Sequence, residues 1–151
     1  MFLLRPYTSA DCARLAALFY DTVHTVNARD YTPVQLDAWA DGQPDLAAWD
    51  RSFLAHYTLV ALAGPEIVGF GDLAPDGYLD RLYVHAAWQG RGVATALCDR
   101  LEAAAPGTVV THASITARPF FEKRGYRVVR AQQVVRHGVT LTNFVMELPR
   151  P

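Results

Sequence analysis

Apolar positions recur at helical spacing in the first third of the chain, then alternate or run together through the middle and the end. In "TSADCARLAALFYDTV" (residues 8–23), Cys12, Leu15, Ala16, Phe19 and Val23 fall on one helical face. Thr8 and Asp11 stand at capping-box spacing ahead of them. Thr32 followed by Pro33 marks the start of a second helix, "PVQLDAWA". A loop with Gly42 and Pro44 leads to a short helix over residues 46–54. A short apolar stretch over residues 2–5 precedes all of these as a first strand.

From residue 57 the pattern changes. "YTLVALA", the turn "GPE" and "IVGFGDL" read as a hairpin, and Asp76–Gly77 opens a third strand, "YLDRLYV". Residues 89–105 form an amphipathic helix stopped by Pro106 and Gly107. "TVVTHAS" is a strand, "TARPFFEKR" a short helix ending at Gly125, and "YRVVRAQQVV" and "VTLTNFVMEL" are two strands turned by "RHG". The order β-α-α-β-β-β-α-β-α-β-β predicts a mixed α/β domain with helices covering a central sheet.

Composition narrows this picture. The 151 residues suit one domain with a real core, with 51% hydrophobic and 19% charged residues. A net charge of −1 gives no support for binding nucleic acid or an anionic membrane. Arg5 interrupts the N-terminal apolar run, so neither a signal peptide nor a membrane span is expected. Cys12 and Cys98 fall inside helices without metal-like spacing, which suits core thiols and a cytoplasmic protein. None of His24, His56, His85, His112 and His137 forms a compact ligand pair, so no metal is expected.

The chemistry concentrates in "VHAAWQGRGVATAL" (residues 84–97). A strand ending at Val84 and the helix that follows it would leave first-turn N–H groups unpaired. Gly90 and Gly92 would keep side chains away from those amides, and Arg91 adds charge at the rim. That is a phosphate cradle or simply a tight turn. No lysine follows Gly92 before Lys123, which excludes a P-loop, and the spacing GxGxA fails the dinucleotide fingerprint.

"LYVHAAWQGRGVATALCDRLE" resembles motif A of the GNAT (GCN5-related N-acetyltransferase) superfamily, with Gln89, Gly92 and Ala94 at the positions of [QR]xxGx[GA]. "ITARPFFEKRGYRVV" resembles its motif B, and "TVHTVNARDYT" and "GVTLTNFVMELP" resemble bacterial, YafP-like members. The resemblance spans residues 2–148 as one N-acetyltransferase domain. It implies a mainly antiparallel sheet of about seven strands whose two central strands splay apart. It implies acetyl-CoA as cosubstrate and direct transfer to a primary amine, with a small molecule as the expected acceptor and a peptide N-terminus or lysine as the alternatives.

The family motif would place the pyrophosphate on the amides of Gln89, Gly90, Arg91, Gly92, Val93, Ala94 and Thr95. Leu82, Tyr83 and Val84 would lie beside pantetheine, with the Val84 N–H facing a developing oxyanion. Ser114, Phe120 and Phe121 would flank the thioester, although core packing accounts equally for the aromatic residues. Many relatives carry a proton-donating tyrosine where this chain has Phe121. That departure keeps open an acyl-CoA-binding regulatory module with little turnover. Asp80 is a candidate base, on an alternating face with Tyr78, Leu82 and Val84 unless a bulge of the kind the resemblance implies changes the register, and Asp72 on the neighbouring strand is another. The acceptor would enter past Tyr20, His24, Asn27 and Tyr31, with His24 as a second candidate base. A homodimer through an exposed sheet edge is an expectation that the sequence does not assign to a particular strand.

Overall fold

The structure, a computed structural model, describes residues 1–150. Its strands are β1 (Leu3–Pro6), β2 (Tyr57–Ala63), β3 (Glu66–Leu73), β4 (Tyr78–Val84), β5 (Val109–Ser114), β6 (Arg127–Arg136) and β7 (Val139–Leu148). Its helices are α1 (Cys12–Thr25), α2 (Pro33–Trp39), α3 (Leu46–Ala55), α4 (Val93–Ala103) and α5 (Arg118–Lys123). All seven strands form one sheet in the order β1-β2-β3-β4-β5-β7-β6. Every pairing is antiparallel except that of β4 with β5.

The caps act as their sequences require. The Thr32 hydroxyl accepts from the Gln35 N–H at 3.2 Å, and the Gln35 side chain accepts from the Thr32 N–H at 2.9 Å. Pro33 then opens α2. At the other cap, Asp11 accepts from the Thr8 N–H at 3.0 Å and pairs with Arg5 at 2.7 Å. This ties β1 to the start of α1. Cys12, Leu15, Ala16 and Val23 are buried along α1, and Phe19 is partly buried. Both cysteines are free and buried.

The sheet separates the apolar residues into two layers. On one face, Val93, Leu97 and Leu101 of α4 meet Leu59, Leu79, Val84 and Met146, with Phe121 and Tyr126 completing the cluster. Leu97 and Leu101 have no exposed surface, so truncating either to alanine costs about 2–5 kcal/mol. On the other face, Leu15, Leu18, Phe53 and Phe70 form a second cluster, and Val23, Tyr31, Leu36 and Leu141 a third.

Two features differ from the sequence reading. The helix expected over residues 89–105 begins at Val93, because residues 86–88 make a 3₁₀ turn and Gly92 is left-handed at φ 84°. The even alternation expected along β4 is also broken. Arg81 pairs with Asp72 but Leu79 pairs with Leu73, so β4 carries one extra residue at a bulge around Asp80. Leu79, Leu82 and Val84 therefore pack towards α4. Arg81 lies over the Trp49 and Phe53 rings on the opposite face.

Candidate functional site

β4 and β5 pair only at Tyr78–Val110 and Leu79–Thr111, and beyond that point the strands part. The bulge at Asp80 starts the divergence. The His85 N–H donates to the Val68 carbonyl at 2.8 Å, so strand alternation turns the Val84 N–H and carbonyl to the edge facing β5. Gln89 Nε2 donates to that Val84 carbonyl at 2.7 Å. The Val84 N–H is left directed into the gap. Gln89 thus fixes the end of β4 relative to the turn that follows.

That turn is open on its outer side. Gly90 and Gly92 have φ values of 72° and 84°, in the left-handed region where a side chain is strained, and a Cβ on either would meet nothing within 4 Å. The first intrahelical bond of α4 runs from the Ala96 N–H to the Gly92 carbonyl at 3.0 Å. The Val93, Ala94 and Thr95 N–H groups precede it and have no helical acceptor. Arg91 is exposed, with its guanidinium 4.8 Å from the centre of the Trp88 ring. A positive helix end, open backbone and one exposed cation together suit a di-anion.

Two clefts meet where the strands part. The inner one, of about 180 Å³, is lined by Leu82, Val84, Gln89, Ala94, Ser114, Phe120 and Phe121, and reaches Asn27. The outer one, of about 240 Å³, is walled by Phe19, Tyr31, Trp49, Tyr78 and Asn143, with Arg81 and Arg136 at its polar side. Trp39, Asp80, Tyr83, His112 and Ser114 line both. These five residues come from α2, β4 and β5, so the shared junction is a product of the fold.

The junction is electrostatically graded. Asp72 has no exposed surface and accepts from the Arg81 backbone at 2.9 Å, from His56 Nδ1 at 2.8 Å and from the Arg81 guanidinium. Its hydrogen bond holds His56 above the usual imidazole value. Asp72 is sealed and fully engaged, which overturns its candidacy as an alternative base. Asp80 is 3.6 Å from Arg81 and 4.0 Å from His56, with a side chain 29% exposed. Burial pushes its pKa above the usual carboxylate range, with Arg81 opposing. Enclosure and Arg130 push His112 down. Burial raises the phenols of Tyr83 and Tyr78, the latter to about 12. Burial thus favours the uncharged form of both Asp80 and His112, the two acid–base groups that line both clefts.

His56, Asp72 and Asp80 also bring one ligand atom each within 4.8 Å of one another. The Arg81 guanidinium bridges the two carboxylates, and His56 Nδ1 lies 2.8 Å from Asp72 and 4.0 Å from Asp80. The cluster has the charge balance of an ion-pair network.

The residues singled out from sequence divide by place. Asp80, Leu82, Tyr83, Val84, Gln89, Ala94, Asn27, Ser114, Phe120 and Phe121 line the inner cleft. Gly90, Arg91, Gly92, Val93 and Thr95 form the turn and helix start beside it. Tyr31 lines the outer cleft, where its phenol accepts from the Ile115 N–H at 2.9 Å and donates to the Thr142 carbonyl at 2.7 Å. That links the free end of β5 to β7. Tyr20 and His24 line neither cleft. Their rings stack 4.2 Å apart, and His24 Nε2 lies 2.8 Å from the Ala40 carbonyl. Trp39, Arg81 and Asn143 were missed, since nothing in their local patterns signals a cleft. His112 stands at the junction because β5 parts from β4 there.

Sequence and fold comparisons agree with this geometry. Residues 27–148 match the family described as acetyltransferase (GNAT) domain. The chain is 35% identical over 143 residues to the uncharacterized N-acetyltransferase YafP of Escherichia coli K12, covering 95% of this chain and 93% of that protein. A GCN5-related N-acetyltransferase from Rhodopseudomonas palustris superposes with a TM-score of 0.93 at 35% identity, over 97% of this chain and 94% of its own. The PaiA N-acetyltransferase of Thermoplasma acidophilum, solved with coenzyme A, has the same fold at a TM-score of 0.78 and 15% identity, covering 99% of each chain. A sheet parted beside a glycine turn, and a family match over most of its length, lead to one assignment: the chain belongs to the GNAT acetyltransferase family.

Proposed function

We propose that the protein transfers an acetyl group from acetyl-CoA to the primary amine of a small molecule by direct attack. The observation that carries this reading is the junction of the two clefts at Asp80, beside the unpaired edge of β4. Family membership and the coenzyme A complex of the PaiA relative support it.

Each part of the site has work suited to its chemistry. The amides at residues 89–95 and Arg91 hold the pyrophosphate. The open edge of β4 takes the pantetheine arm as a guest strand, with Leu82 and Val84 beside it. The Val84 N–H, aimed into the gap, donates to the oxygen on which negative charge develops. Because Gln89 already satisfies the Val84 carbonyl, in the peptide that follows, the end of β4 is held in position before reaction. Acetyl-CoA, when bound, supplies the activated acetyl carbon.

The amine enters through the outer cleft, whose aromatic walls suit a compact organic body. Asp80 accepts a proton from the ammonium, directly or through one water. Its raised pKa makes it a stronger proton acceptor than an ordinary carboxylate. The buried free thiols, Cys12 and Cys98, lie in helices and line neither cleft, in keeping with direct transfer. Incubating the protein with acetyl-CoA and a panel of small amines, with product detected by mass, tests the reading. A saturable acetylated product is expected; coenzyme A binding without any turnover would favour a regulatory module.

A further inference from the structure

We infer that Ser114 is the hydrogen-bond donor to the departing coenzyme A sulfur, supplying what Phe121 cannot. This rests on the acetyl-CoA reading above. Ser114 ends β5 where β4 has parted from it, and its residue lines both clefts. Its Oγ accepts from Asn27 Nδ2 at 3.3 Å and from the Ala117 N–H at 3.0 Å. A serine hydroxyl has two acceptor lone pairs and one donor. With both lone pairs engaged, the hydrogen is the only valence left, and no acceptor for it exists among the described residues.

Neighbouring hydroxyls are committed elsewhere. Thr111 donates to the Leu79 carbonyl at 2.9 Å, Thr116 to Asp30 at 2.7 Å and Tyr126 to Glu102 at 2.7 Å. Thr22 lines the inner cleft with its Oγ1 buried and unpartnered, but it stands on α1, across the cleft from the end of β5. The Tyr83 phenol is the rival. Its ring packs against Phe19 and Phe70 on the face carrying α1–α3, which places it towards the acceptor.

The step balances without an added reagent. As the neutral amine nitrogen bonds to the acetyl carbon and the C–S bond breaks, the bonding pair stays on sulfur. Ser114 donates to that sulfur and keeps its proton. The proton shed by nitrogen passes through Asp80 to water, and the released thiolate takes one from water.

The direct test is the pKa of the thiol of coenzyme A bound to the protein, followed by thiolate absorbance across a pH titration. Wild-type protein is expected to lower it relative to free coenzyme A. Ser114→Ala raises the bound value by about one to two units and lowers kcat roughly ten- to a hundredfold, with the acceptor KM unchanged. Ser114→Thr, which keeps a hydroxyl, stays near wild type, and Tyr83→Phe leaves the thiol value alone. A Ser114→Ala value equal to wild type, or the shift appearing in Tyr83→Phe instead, overturns the assignment while leaving the acetyl-CoA reading intact. No coenzyme A binding by the wild-type protein overturns both.

Discussion

The two sides of the junction are built in opposite ways. The cradle side is one continuous stretch, from Val84 at the end of β4 through Gly92 to the first turn of α4. Its working groups are mostly backbone, and its glycines have open space where a Cβ would lie. The acceptor side gathers side chains from α1, α2, α3, β4, β5, β6 and β7. On the proposed reading the cradle holds a group common to every reaction, whereas the acceptor walls can change one residue at a time without disturbing it. Specificity resides where the fold, rather than a local motif, brings the residues together.

If that division is right, substitutions on the two sides will separate donor affinity from acceptor chemistry. The largest effect is expected at Gly92→Glu, which forces a side chain into a left-handed backbone and sets a carboxylate against the anion at the helix start. Coenzyme A affinity falls on the order of a hundredfold or more, about 3 kcal/mol by calorimetry, with the circular dichroism of the fold retained. Unchanged affinity would remove the cradle from the binding site.

Asp80→Asn acts on the other side. It lowers kcat/KM about a hundredfold at neutral pH, while coenzyme A affinity stays within twofold. In the wild type, activity rises with pH as Asp80 loses its proton, at a pH above the usual carboxylate range because burial raises its pKa. That acidic limb disappears in the variant. A loss of tenfold or less would argue against an essential base.

A smaller effect is expected at Asn143→Ala. Asn143 lines the outer cleft only, and its Oδ1 is buried without a partner. The acceptor KM rises several-fold, coenzyme A binding is unaffected, and stability changes by less than about 1 kcal/mol, since no hydrogen bond is lost at that oxygen. A change in coenzyme A affinity would blur the division between the two sides.

The smallest effect is on stability alone. Asp72 raises the folded pKa of His56 above its ordinary value of 6.5. The stabilising contribution is thus complete below that ordinary value and is lost as pH rises through the higher, folded one. His56→Gln flattens this dependence in denaturant titrations at a series of pH values. An unchanged pH profile would mean that the pair contributes nothing.

What could be read from sequence follows the same division. The order of elements, the Thr32–Pro33 cap and the cradle were legible because each is encoded within a few neighbouring residues. The splay was expected only through the motif A resemblance. Its structural cause, one extra residue at Asp80, lies in a register that alternation alone does not reveal. Tyr20 and His24 illustrate the converse limit. Their spacing of four correctly puts them on one helical face, but that face turns towards Ala40 rather than the clefts. Trp39 and Asn143 became visible only once α2 and β7 were in place around β4.

A crystal structure of the protein with coenzyme A bears most directly on the junction. The pyrophosphate is expected on the amides of residues 89–95, the pantetheine along the open edge of β4, and the sulfur between the Val84 N–H and the Ser114 hydroxyl. Coenzyme A bound away from that gap, or β4 and β5 paired throughout their length in the complex, would contradict it.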